Sequence, residues 1–370
     1  VCTIFLLRWG GLYFYLMDSE RGVFKGRGAQ INTANPYLAN EYVAEHVEGI
    51  DAPLLQNEKT TFIRETPKKI VNRIDSPDVG LSMSMNPYQG CEHGCIYCYA
   101  RNTHQYWGLS AGLDFERKII VKENAAELLE KQLQHPKWKV EPIMLSGNTD
   151  CYQPAERKWR ITRKMLEVLV KCKHPVGIIT KNALILRDLD LLQQLQADNL
   201  VHVNISITTL DEKLRSKLEP RTASAMKRMA AVEKLAVAGI PVNVMMAPII
   251  PGLNSHEIPQ LAKTAAEHGA SSIGYTMVRL NGAVADIFKD WIHLHFPDRA
   301  EKVLHLIEAC HGGQLGDSRF GKRMRGEGQE ASSIANLFKL SRSKYFADRS
   351  MPTLNTEAFC PVGGKQLNLF

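Results

Sequence analysis

Between positions 91 and 98 the chain reads Cys-Glu-His-Gly-Cys-Ile-Tyr-Cys, and no other stretch restricts its fold so sharply. The spacing puts the thiols of Cys91, Cys95 and Cys98 on one tight loop. Gly90 and Gly94 let that loop turn without Cβ clashes and aim amide N–H groups at sulfide. Soft thiolates prefer iron–sulfur clusters, zinc or Cu(I) to hard cations. A structural zinc site or an electron-transfer [4Fe-4S] cluster takes four protein ligands. Three thiolates hold three irons of a cubane and leave the fourth open to a small molecule. Two plainer readings stand beside this one: a zinc site completed by His93 or a remote cysteine, and three buried thiols without a ligand.

The longer string Asn86-Pro-Tyr-Gln-Gly-Cys91-Glu-His-Gly-Cys95-Ile-Tyr-Cys98-Tyr99-Ala-Arg101 resembles the radical S-adenosylmethionine superfamily, and within it the branch around spore photoproduct lyase, over residues 80–280. The resemblance implies that Cys91, Cys95 and Cys98 ligate a [4Fe-4S] cluster. The amino and carboxylate groups of S-adenosylmethionine would chelate the open iron. One-electron reduction by a donor protein or reagent would then release a 5′-deoxyadenosyl radical that abstracts hydrogen. Tyr97 and Tyr99 would flank cluster and cofactor. That branch carries a hydrogen-donating cysteine in a Cys-Thr-Ser-Asp turn. Here Gly147-Asn148-Thr149-Asp150 takes the place of that turn, and Cys151 follows it. Cys151 is therefore either a displaced hydrogen donor or a buried structural thiol.

From residue 81 onwards short apolar runs alternate with amphipathic segments, the pattern of βα units around a parallel sheet. Strands are expected at Leu81–Met85, Pro142–Leu145, Val176–Thr180, Val201–Ile207, Val242–Ile249 and Ser272–Val278. Helices are expected at Thr162–Lys171, Leu186–Leu195, Ala223–Ala238 and His256–His268. The runs at 176 and 242 lack strict alternation, as in strands covered on both faces. Six units predict an α/β fold, a partial (β/α)6 barrel with N- and C-terminal extensions, and the resemblance implies that the barrel is of the radical SAM type. The barrel is placed at residues 81–309, after a wrapping segment at 17–80. Residues 1–16 are apolar but too short to span a bilayer, so no stable membrane insertion is expected. They read as an extension upstream of a natural start at Met17.

Ligands collect at the carboxyl ends of parallel strands. The second strand ends in Gly147, Asn148 and Thr149, expected to bind the cofactor's amino and carboxylate ends, or to form a plain capped turn. The third ends in Lys181, a cation for the cofactor carboxylate by family resemblance. On the fourth, alternation puts Asn204, Ser206 and Thr208 on one polar face; the family resemblance implies that Ser206 touches the cofactor, and Asn204 on the same face is taken as a contact with it. Arg221 and Arg279 are candidate phosphate or carboxylate clamps.

Residues 310–370 read as a basic extension in which glycines separate Arg319, Lys322, Arg323 and Arg325, a flexible loop suited to a phosphate backbone. Phe320, Phe338, Tyr345 and Phe346 would stack on bases or, as is commoner, fill the core. The last residues, Gln366, Leu367, Asn368, Leu369 and Phe370, resemble the peptide by which bacterial repair proteins dock on the sliding clamp. The chain has 46 basic and 39 acidic side chains, a net +7 that permits nucleic-acid binding without requiring it. Eight cysteines without a regular framework point to a reducing, cytoplasmic setting. The reading is a radical SAM enzyme, lyase-like, acting on DNA or another nucleic acid in repair-like chemistry. The alternatives are a methylating, methylthiolating or peptide-modifying enzyme using the same radical, and a non-catalytic iron–sulfur protein bound to DNA or the clamp.

Overall fold

Apolar runs of three to eight residues become the strands of a barrel left open along one side. The structure is a computed structural model that describes residues 23–38 and 59–361. The expectations for residues 1–16, for Met17 and for the peptide Gln366, Leu367, Leu369 and Phe370 lie outside the described residues. The strands are β1 (Thr61–Glu65), β2 (Val71–Arg73), β3 (Met83–Met85), β4 (Tyr88–Gln89), β5 (Lys118–Lys122), β6 (Ile143–Leu145), β7 (Val176–Thr180), β8 (Val201–Ser206), β9 (Val242–Ile249) and β10 (Ser272–Met277). The main sheet runs β10-β9-β8-β7-β6-β3-β2. Its first six members are parallel, and β2 adds an antiparallel edge to β3. This is the expected partial (β/α)6 barrel. Strands β1, β5 and β4 form a second, small sheet.

Helices Ile161–Cys172, Leu189–Gln196, Ala225–Val237 and Ile258–Glu267 follow β6, β7, β8 and β9, close to their expected bounds. Each returns to the next strand through one residue in the left-handed region: Lys173, Asn199, Gly239 and Gly269. The amide after it bonds back five residues, as in Leu200 N–H to Leu195 O at 3.0 Å and Ile240 N–H to Leu235 O at 3.0 Å. These bonds satisfy the last helical carbonyls and stop each helix at the same depth.

The strands are covered by helices on the convex face only. Val201, Val203, Ile205, Val242, Val244 and Met246 are buried in the main core against Leu192, Met229, Val232 and Leu261. Their alternates His202, Asn204, Asn243, Met245 and Ala247 are only partly buried. The expectation of strands covered on both faces is corrected for β9, while β7 is buried at every residue but Ile179. Met and Ala read as core in a sequence run, yet these line an open concavity.

The N-terminal segment is fastened to the body of the fold through Arg27, Gly28 and Ala29. Gly28 and Ala29 donate their N–H groups to the buried Glu116 carboxylate at 3.0 and 2.8 Å, and Arg27 Nη1 donates to Glu116 O at 2.8 Å. At the other end, helix Gly328–Tyr345 buries Ala331, Ile334 and Phe338 in the core, with Phe338 4.5 Å from the Tyr275 ring. Phe346 is buried too, while Phe320 is exposed. No helix among the described residues is long and apolar enough to cross a membrane.

Candidate cofactor and substrate site

The chain leaves β3, makes the short β4 against β5 and enters the cysteine loop, which therefore lies at the carboxyl end of the first parallel strand. Gly90 and Gly94 take φ of 78° and 70°. A Cβ on Gly94 would stand 2.8 Å from Glu116 Oε2, so the loop packs there only as glycine. Cys91 N–H donates to Phe115 O at 2.9 Å and Ile96 N–H to Leu218 O at 3.1 Å. Fully buried Arg101 donates from Nε to Cys95 O at 2.9 Å and pairs with Glu116 at 2.5 Å.

Cys91 and Cys95 are buried and Cys98 is half-buried. Burial, with the nearby Asp150 and the Cys95 thiol, pushes Cys91 well above the ordinary thiol range. Burial and Glu219 push Cys95 up, and burial does the same to Cys98. Thiolates in such a place need a cationic centre, and a metal deprotonates a coordinating thiol outright. The donor set fits an iron–sulfur cluster. Among the described residues no three His, Cys, Asp or Glu side chains crowd closely enough to share one ion. A cubane does not require that, because each thiolate binds its own iron. Nor is His93 free to complete a zinc site. Its Nδ1 lies 3.3 Å from Asp150 Oδ2 and its Nε2 3.2 Å from Asn182 Nδ2.

Asp150, which the sequence reading passed over, also accepts from Thr180 Oγ1 and from Lys181 N–H, both at 2.8 Å. Burial alone would raise its carboxyl; His93 and these donors outweigh burial and hold it low. One carboxylate thus joins the cysteine loop, the turn after β6 and the end of β7.

The Lys181 side chain donates from Nζ to Ala247 O at 3.1 Å and stands 3.5 Å from Glu219 Oε1 and 5.7 Å from the Tyr97 ring centre. Fully buried Glu219 also accepts from Thr208 Oγ1 at 2.6 Å and from Tyr97 OH, and pairs with Arg228 at 2.7 Å. Burial opposes its charge, but Arg228 and Lys181 prevail and hold it far below the usual carboxylate range. Arg228 Nη1 in turn donates to Ser206 O at 2.7 Å. So Tyr97, Lys181 and Ser206, far apart in sequence, share one scaffold built on Glu219 and Arg228. Glu219 lies two residues before Arg221, the residue singled out from sequence; Thr222 bonds Glu219 and Arg215, and Ser224 caps the next helix. Nothing in the sequence separates Arg228 from a solvated helix arginine.

The turn after β6 is locked to the approach of the cysteine loop. Asn86 Oδ1 accepts from Asn148 N–H at 2.8 Å and Thr149 N–H at 3.3 Å, Thr149 Oγ1 donates to Tyr88 O at 2.6 Å, and Tyr99 OH donates to Gly147 O. Cys151 lies fully buried in the main core, its thiol pushed up by burial and Asp150. Asn204 donates to Ile178 O at 3.2 Å and accepts from Asn243 Nδ2 at 2.9 Å.

Arg221 sits over the cysteine loop, its N–H bonded to His93 O and its guanidinium 3.5 Å from Glu92. Arg279, two residues beyond β10, is half-buried, bonded to Met324 Sδ at 2.7 Å and 6.0 Å from the Tyr99 ring centre. Burial and the neighbouring Arg323 lower its pKa. The loop beyond it is not the flexible run of free cations expected. Arg319 pairs with Asp317 and Glu327, Lys322 with Glu327, and Arg323 with Asp78 at 2.5 Å. Arg325 lies 4.2 Å over the Tyr275 ring. Acidic partners at Asp78, Asp317 and Glu327 turn the loop into a fastened strap across the end of β10, where Met277 N–H donates to Met324 O at 2.9 Å.

The Radical SAM superfamily profile matches residues 85–265. An uncharacterized protein of Mycobacterium tuberculosis is 30% identical over 263 residues, covering 70% of this chain and 77% of that one. An uncharacterized protein of Methanocaldococcus jannaschii is 29% identical over 247 residues, 67% of this chain and 88% of the other. Among solved structures, a substituted spore photoproduct lyase superposes with a TM-score of 0.59 at 19% identity, over 81% of this chain and 85% of that one. Spore photoproduct lyase complexed with dinucleoside spore photoproduct gives 0.57 at 17% identity over the same shares. At such identities the likeness is one of fold.

Proposed function

This chain belongs to the radical SAM superfamily, whose cofactors are a [4Fe-4S] cluster and S-adenosylmethionine, and we propose that it abstracts hydrogen from a nucleic-acid substrate, DNA foremost, to begin repair-like bond cleavage. The observation that carries the proposal is the juxtaposition of three thiols on one loop, two of them buried and one half-buried, with an open, polar concave face. When bound, the cluster and S-adenosylmethionine supply a hydrogen-abstracting radical.

The protein's part is to hold, orient and exclude. Cys91, Cys95 and Cys98 hold the cluster. Lys181, fixed between Glu219 and Ala247 O, presents a cation to the cofactor carboxylate. Ser206 belongs to the same scaffold, its backbone carbonyl accepting from Arg228. Tyr97 closes the wall behind Lys181, and Tyr99 bridges to Gly147 at the rim. Arg279 has no carboxylate in ion-pair contact among the described residues and offers its charge to phosphate. The burial of Cys151 favours its structural reading over hydrogen donation. The fold shared with a protein solved in complex with a dinucleoside photoproduct supports DNA as the substrate.

The test is 5′-deoxyadenosine formation by the anaerobically reduced protein, with and without ultraviolet-irradiated DNA. The expected result is a yield that rises with irradiated DNA. A yield unmoved by any DNA or RNA would remove nucleic acid as the substrate while leaving the radical chemistry in place.

A further inference from the structure

We propose that the paired amides of Asn204 and Asn243 form a reading site for the hydrogen-bonding edge of a nucleobase on the barrel's concave face. The inference deepens the nucleic-acid reading above and rests on it.

The two asparagines are register partners on adjacent parallel strands β8 and β9, both on the concave side. An asparagine amide offers two donors and a two-lone-pair acceptor. Asn204 commits one N–H to Ile178 O and its carbonyl to Asn243. Asn243 commits only the N–H that reaches Asn204. Its carbonyl and second N–H have no protein partner among the described residues, and both asparagines are partly exposed. A fixed amide with an adjacent donor and acceptor free is the group that pairs with a base edge in two hydrogen bonds.

The surroundings suit a flat ring. Gly274 is the register partner of Met245, and a Cβ there would come within 2.7 Å of Met245 Sδ and 3.8 Å of Asn243 Nδ2. A Cβ on Gly177 would stand 3.3 Å from Met144 Cε. Glycine at these two places makes room for thioether side chains, which adapt to an aromatic face. Depth separates this site from the cofactor's. Lys181 binds Ala247 O, four residues beyond Asn243 on β9, which is about 13 Å along a parallel strand. A cofactor held at Lys181 leaves the amide pair to whatever lies beneath it, so Asn204, expected from sequence to touch the cofactor, is assigned to the substrate. A base swung out of its stack into such a pocket is read by hydrogen bonds and by apolar faces.

The experiment measures binding of the cluster-loaded protein, by fluorescence anisotropy, to short single-stranded homopolymers of each of the four deoxynucleotides. Wild type should discriminate between best and worst base by at least about fivefold. Asn243→Ser should compress that ratio to within about twofold, since it removes the two-bond reader. Asn243→Asp, which turns a donor into an acceptor, should shift the preference towards a base that presents a donor. Iron content and S-adenosylmethionine affinity report whether each variant is folded. Wild-type binding without base preference, or a preference unchanged in both folded variants, overturns the reading site and leaves nucleic acid as the substrate. Absence of binding to every homopolymer and to duplex DNA overturns both.

Discussion

Glu219 shows how much of the site depends on one buried charge. Its carboxylate meets Arg228, Lys181, Thr208 and Tyr97 with no exposure to solvent. Glu219→Gln would leave Arg228 buried without its ion-pair partner, at a cost of about 3–5 kcal/mol, read as a lower denaturant midpoint. The acid side carries a sign. The folded pKa lies below the ordinary 4.5, so the contribution of Glu219 is present above that value and is lost as the pH falls through the acid range. The variant's stability should therefore depend less on pH there than the wild type's. At this scale the sequence is legible where partners are local. Cys91, Cys95 and Cys98 announce themselves because one loop carries all three. Asp150, Glu219 and Arg228 do not, because each acts on residues that only the fold brings near.

The βα units were legible as elements because apolar runs and amphipathic helices differ in period. Which face of a strand opens to the cavity was not, since Met245 and Ala247 look like core. The basic segment after β10 misled for a related reason: its cations are visible in sequence, while Asp78, more than two hundred positions earlier, is not visibly their partner. This gives a comparison between two arginines in DNA binding. Arg279→Ala should reduce the slope of log affinity against log salt by about 1, the effect of one lost phosphate contact. Arg319→Ala should change it less, because Asp317 and Glu327 already neutralise that side chain. Titrations over a range of salt concentrations decide it; equal loss of slope would return the strap to phosphate binding, and no loss for Arg279 would remove it from the interface.

For the whole molecule, the arrangement assigns one task to each surface. The convex face is packed by helices, the cysteine loop closes the carboxyl end of the sheet between the N-terminal segment and the strap after β10, and the concave face is left open. The family and the incomplete barrel were readable from one cysteine string and six apolar runs; which strand faces line the open side required the coordinates. The central claim is that the three-thiol loop supports radical chemistry at the mouth of this barrel. Its most direct test is 5′-deoxyadenosine release from S-adenosylmethionine under anaerobic reduction, measured beside iron and sulfide content, for wild type and for Cys91→Ala, Cys95→Ala and Cys98→Ala. The account predicts one [4Fe-4S] cluster and product from wild type, and loss of both in each variant. A wild-type protein that binds zinc in place of an iron–sulfur cluster, or product formation that survives these substitutions, would contradict it.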